Sequence, residues 1–115
     1  MIRVSDIMIK DTVCCTPLTK IEESRDMMVK YHCTKLPVVN TLKERRIIGA
    51  VSEKDIADEV GTIIHFMSRN LNAVCEDETV DECLRIMILN NVEQVPVIDK
   101  QGHFCGIVTQ DEILR

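Results

Sequence analysis

At 115 residues the chain has room for one domain with a single core, burying roughly 65% of its unfolded surface. Hydrophobic residues make up 45% of it and charged residues 29%, a balance that excludes both a disordered tail and a membrane protein. With 14 basic and 19 acidic residues the net charge is −5, and aromatics are 3% with no Trp, so the basic face and stacking platforms of a nucleic-acid binder are missing.

In chain order, Met1–Asp6 already carries charges and lacks the apolar stretch of a signal peptide, so the cytoplasm is the expected compartment. A short extended piece is predicted around Thr12–Cys15. A helix follows near Ile21–Tyr31, with Ile21 and Met28 on a helical period and Thr19-x-x-Glu22 as its capping box. Two β-rich runs, Leu36–Val39 and Ile47–Val51, flank the basic loop Lys43-Glu44-Arg45-Arg46, which reads as a solvated tip. A helix begins near Glu53, and Asp58–Thr62 forms a join. The pattern then recurs. It gives an extended piece at Asn72–Cys75 and a helix at Val80–Asn90 with Val80, Leu84, Met87 and Ile88 in phase, opened by Thr79-x-x-Glu82. Next come β-runs at Val95–Ile98 and Phe104–Val108, a Gly-ended turn Asp99–Gly102 between them, and a last helix from Gln110. The longest apolar runs, such as Ile86–Leu89, are far too short to cross a bilayer.

The recurrence is an internal duplication. Leu36-Pro37-Val38-Val39-Asn40 lies over Val95-Pro96-Val97-Ile98-Asp99 at an offset of 59 positions, which also pairs Met8 with Met67, Glu23 with Glu82 and Met28 with Met87. Downstream, Ile48-Gly49-Ala50-Val51-Ser52 lies over Cys105-Gly106-Ile107-Val108-Thr109 at an offset of 57, so the two-residue difference falls in the loop after Asn40. An indel confined to a loop is what a duplication should show. The chain is therefore read as α+β, two pseudo-symmetric β-α-β-β-α repeats over 1–60 and 61–115, packed sheet to sheet into one module.

None of the six cysteines (Cys14, Cys15, Cys33, Cys75, Cys83, Cys105) stands in C-x-x-C spacing, and Cys14 and Cys15, adjacent on a strand, would point to opposite faces. They read as reduced thiols filling small core positions, with disulfides or a metal site as the alternatives. Met27, Met28 and Met87 read as core filler. His32, His65 and His103 fall at unmatched positions of the repeats. His32 beside Cys33 would face another direction on a helix, so no catalytic pair is expected. The four glycines form no phosphate-cradling loop or nucleophile elbow.

The sharpest pattern closes each repeat. Gly49-Ala50-Val51-Ser52-Glu53-Lys54-Asp55-Ile56 and Gly106-Ile107-Val108-Thr109-Gln110-Asp111-Glu112-Ile113 share Gly-x-Val-[Ser/Thr]-x-x-[Asp/Glu]-Ile. With the [Leu/Val]-Pro-Val runs, this pattern resembles the cystathionine-β-synthase (CBS) domain family in its paired arrangement, the Bateman module, from about Val4 to Arg115. The resemblance implies a regulatory or sensor module, not an enzyme. It implies an adenine nucleotide or related adenosyl ligand (AMP, ADP, ATP or S-adenosylmethionine) bound in clefts between the repeats, with no cofactor required and no metal. It also implies a homodimer, with the terminal helix at Ile113-Leu114 as a candidate contact and a regulated protein as a further partner. In the family the Asp of the pattern accepts both ribose hydroxyls and the Ser or Thr meets phosphate. Those positions are Asp55 with Ser52, and Glu112 with Thr109.

A carboxylate is an acceptor that can take two vicinal hydroxyls, and a hydroxyl beside free amides at a helix start suits an anion. The same spacing is also a capping box that only opens a helix. Asp is the less usual capping partner, which favours ligand binding at Ser52 and Asp55. Glu is the preferred one and its carboxylate reaches about 1.5 Å further, which favours capping at Thr109 and Glu112. Lys35 and Lys54 offer positive charge to a phosphate, where the second repeat has Gln94 and Asp111. Two further readings stay open: a ligand-free dimerisation module, and a thiol-rich metal or redox sensor.

Overall fold

The computed structural model describes residues 1–10 and 12–114; Asp11 and Arg115, the last residue of the second repeat, lie outside the described residues. Among the described residues the elements run in the order α1 (Val4–Ile7), α2 (Ile21–Lys30), β1 (Lys35–Val39), β2 (Ile47–Ser52), α3 (Glu53–Ile56), β3 (Val74–Cys75), α4 (Val80–Leu89), β4 (Gln94–Ile98), β5 (Phe104–Thr109) and α5 (Gln110–Leu114), with a 3₁₀ turn at Ile63–His65. The mixed α+β repeat is present twice. In space, however, the chain divides differently from the sequence repeats. One compact unit is continuous, Val13–Leu71, and the other joins Met1–Thr12 to the chain from Asn72 onward.

In the continuous unit β1 and β2 form an antiparallel hairpin with Lys35 opposite Ser52 and a bulge at Val38/Val39. The extended piece predicted at Thr12–Cys15 shrinks to a single parallel bridge from Cys15 to Val38, in which the Cys15 amide donates to Pro37 and Val39 donates back to Cys15. In the other unit the matching residue, Val74, heads a true short strand parallel to β4, and β4 pairs with β5 in the same register as the first hairpin, Gln94 opposite Thr109. Each hairpin carries one core at the same repeat positions. Ile21, Met28, Leu36, Val38 and Val51 pack with Ile56 and Ile63, and Met87, Val95, Val97 and Val108 pack with Val4 and Cys83.

The helices between strands are amphipathic, with Ile21, Ser24 and Met28 buried on α2 and Cys83 and Met87 on α4. Ser24 is buried without loss because its hydroxyl donates to the Ile21 carbonyl at 2.7 Å. The capping box predicted at Thr19 and Glu22 is not formed. Lys20 is the N-cap of α2 without a side-chain bond, and the Thr19 hydroxyl accepts instead from the Thr16 amide. The repeat register explains this, because Lys20 and not Thr19 lies over Thr79. Thr79 does cap α4, accepting from the Glu82 amide, but the Glu82 carboxylate turns outward to Arg85. Both helices end on a left-handed residue, His32 (φ 54°) and Asn91 (φ 52°), which lets Cys33 and Val92 donate back to Met28 and Met87. His32 is thus a helix terminator.

A leader segment closes each unit. Met67-Ser68 runs along β2, with Ala50 and Ser68 exchanging both backbone hydrogen bonds at 2.8 and 2.9 Å. Met8-Ile9 does the same along β5, with Ile9 and Ile107 exchanging bonds at 2.8 and 3.0 Å. The leader passes so close that a Cβ on Gly49 would sit 2.7 Å from the Ser68 carbonyl oxygen, and one on Gly106 would sit 2.8 Å from that of Ile9. Backbone on both sides leaves no flexible group to move. Gly49→Ala and Gly106→Ala are each expected to lower stability by about 1–3 kcal/mol through overpacking. Thermal unfolding checks this, and unchanged melting would refute the close approach.

All six cysteines are free thiols, but only Cys14, Cys15 and Cys83 are buried; Cys33, Cys75 and Cys105 are half-buried. Burial pushes the Cys15 thiol up to about 12, reinforced by Cys14 and Glu23. Cys105 is also pushed to about 12, first by burial and then by Glu76, whose carboxylate accepts its S–H. Such thiols are protonated and poorly nucleophilic at neutral pH, which argues against a redox sensor built on them. The stability that goes with a neutral Cys15 is complete below its ordinary value of 9.0 and is lost as pH rises toward 12. The expected outcome is that Cys15→Val, the residue matched in the second repeat, loses less melting temperature than the parent between about pH 8 and pH 10.5. Equal slopes would show that Cys15 titrates normally.

Candidate functional site

The end of β2 and the one turn of α3 bring four of the expected residues together. Ser52 is both the last residue of the strand and the N-cap of α3. Its amide donates to Asp55 Oδ2 at 2.9 Å and its Oγ accepts from the Asp55 amide at 3.3 Å, so the capping box is complete. Among the described residues two groups stay available for a ligand: Asp55 Oδ1, with Asp55 exposed, and the Ser52 hydroxyl proton, since Oγ there acts only as an acceptor. Lys35 is the cross-strand partner of Ser52, which places its Cβ about 5 Å away on the same sheet face. Lys54 projects from the exposed first turn of α3. Among the described residues neither lysine is in an ion pair.

The helix start is less open than the sequence suggested. The Glu53 amide donates to the Thr34 carbonyl at 2.8 Å and the Asp55 amide to Ser52, which leaves the Lys54 amide alone among the first three. The predicted set of free N–H groups is corrected accordingly: the anion would meet a hydroxyl, one amide and two lysines.

The matching end of β5 is built on the same frame, with the Gln110 amide donating to the Glu93 carbonyl as Glu53 does to Thr34. Its chemistry differs. Glu112 Oε1 accepts from both the Thr109 amide at 2.9 Å and the Thr109 hydroxyl at 2.6 Å. The hydroxyl proton that Ser52 keeps is committed at Thr109. A shallow pocket of about 190 Å³ lies against this end, lined by Glu93, Thr109, Gln110 and Asp111. Two of its four residues bear carboxylates, where the first repeat has Thr34 and Lys54. Asp111 was legible in the sequence. Glu93 was not, because it stands before a strand and outside the shared motif. Charge of this sign repels phosphate.

Among the described residues no group of three His, Cys, Asp or Glu side chains could hold a metal ion. No helix among them is long and apolar enough to cross a membrane.

Comparisons with known proteins cover both repeats. The CBS domain model matches twice, at residues 4–62 and 60–115. An inosine-5'-monophosphate dehydrogenase of Thermoplasma acidophilum is 29% identical over 97% of this chain, which spans only 23% of that enzyme's length. Among solved structures, the CBS domain pair of protein MJ0100, in complex with 5'-methylthioadenosine and S-adenosyl-L-methionine, is 30% identical over 98% of this chain and 93% of that one, with a TM-score of 0.85. CBSX2 in complex with AMP shares the fold at a TM-score of 0.90 and 19% identity, covering 100% and 95% of the two chains. With both repeats matched and the duplicated hairpin and motif in place, the chain belongs to the CBS domain family as a tandem pair.

Proposed function

We propose that this chain is a regulatory module that binds one adenosyl ligand through the Ser52–Asp55 turn, with Asp55 accepting the ribose hydroxyls and Ser52, Lys35 and Lys54 facing the phosphate or other polar tail. The observation that carries the reading is the pairing of Lys35 with Ser52 in the hairpin register, beside a carboxylate that keeps one oxygen for a ligand. That a 30%-identical CBS pair is complexed with methylthioadenosine and S-adenosylmethionine supports an adenosyl ligand. The ligand class is AMP, ADP, ATP or S-adenosylmethionine. The Thr109–Glu112 end is the weaker site, because its hydroxyl is committed and its pocket is acidic. The module acts by binding: it shifts a regulated partner only as far as the ligand discriminates between two states of the protein. A second reading, a ligand-free structural module, is favoured by the complete capping box itself.

Calorimetric titration with the four ligands separates the two. Binding of one ligand per chain is expected, and Asp55→Ala should weaken it by about 1.5–3 kcal/mol, the worth of hydrogen bonds to a charged group. Glu112→Ala should weaken it clearly less. Equal affinity in the parent and Asp55→Ala, with melting lowered in both alanine variants, would leave Ser52 and Asp55 as a helix start only.

The family resemblance also supports a homodimer. Ile113 is drawn into its own core, so the terminal helix offers only Leu114, while Ile88 and Leu89 on α4 are exposed at 65% and 68%. Sedimentation at micromolar concentration should show twice the 13.1 kDa chain mass, and a species of chain mass alone would contradict it.

A further inference from the structure

The one-turn helix α3 has little of its own to hold it. Four residues make too few intrahelical bonds for stability in isolation, and its carbonyl end would face solvent. Arg25 meets that need from α2. Its Nη2 donates to the Ile56 carbonyl at 2.6 Å and to the Glu59 carbonyl at 2.8 Å. The side chain is half-buried, and among the described residues it is in no ion pair, so its charge is directed at the last carbonyls of α3 and the bend beyond. A cation there complements the negative end of the helix. The opposite end of the same single turn is the Ser52–Asp55 box. The second repeat carries Leu84 at the position of Arg25, so the device exists in one unit only.

We infer that Arg25 is a positioning residue: by tying down the carbonyl end of α3 it fixes the orientation of Asp55, and it thereby sets ligand affinity without touching the ligand. The consequence for affinity rests on the Asp55 reading above; the holding of the turn does not. Arg25→Leu, which installs the residue of the second repeat, and Arg25→Lys are compared in the full chain. Amide hydrogen exchange at Asp55 and Glu59 is followed by NMR, and AMP and S-adenosylmethionine affinities by calorimetry, with Asp55→Ala as reference. Arg25→Leu is expected to speed exchange at both amides and weaken binding by about tenfold, the scale of losing a hydrogen bond from a charged donor. Exchange at the α2 amides of Met27 and Met28 should stay unchanged. Arg25→Lys should recover part of both effects, which a loss of packing alone would not. Unchanged exchange at Asp55 and Glu59 overturns the inference. Faster exchange with unchanged affinity overturns it where Asp55→Ala weakens binding, and overturns the Asp55 reading where Asp55→Ala does not.

Discussion

Two pairs of backbone hydrogen bonds, Ala50 with Ser68 and Ile107 with Ile9, hold each unit closed. They cover the open edges of β2 and β5, which a two-stranded hairpin would otherwise expose and which is marginal on its own. The chain just ahead of each leader adds one apolar side chain, Ile63 or Val4, to the core of the same unit. The approach is possible only because Gly49 and Gly106 carry no side chain. Since each leader opens one repeat and closes the other's hairpin, neither repeat is a complete unit by itself. Each unit is thus built from parts of both repeats.

On that common scaffold the two ends diverge through few atoms. The hairpin register and the bond from the first helical amide to the carbonyl before the strand are the same in both. What changes is the direction of one hydroxyl and the sign of the charges around it. The Ser52 hydroxyl accepts from the Asp55 amide; the Thr109 hydroxyl donates to Glu112. Lys35 and Lys54 stand against Gln94 and Asp111, and Thr34 against Glu93. A duplicated frame can thus come to differ in chemistry between its two copies with no change of fold.

The duplication was legible because the core positions repeat at an offset of 59 before the loop after Asn40 and 57 beyond it, and hydrophobic period placed α2, α4 and the hairpin strands to within about a residue, while the extended pieces before the helices came out too long. The leaders were not legible. Their pairing runs through backbone, and only Met8, Met67 and the two glycines mark them. The Thr19 box does not form because Lys20, one position later and over Thr79 in the repeat register, holds the cap position. Arg25 left no sequence sign at all, since carbonyl oxygens are its partners and every residue has one. At the site, Ser52, Asp55 and Lys35 were read from motif and register. Glu93 was invisible because its part in the pocket depends on a strand pairing it does not join.

The central claim, one adenosyl ligand held at the Ser52–Asp55 turn, is tested most directly by NMR titration of the amide spectrum with AMP and, separately, with S-adenosylmethionine. The Lys54 and Asp55 amides are expected to shift to saturation at ligand concentrations that leave Gln110, Asp111 and Glu112 in place. Shifts of equal size and midpoint at both ends, or shifts confined to the Thr109 end, would contradict it.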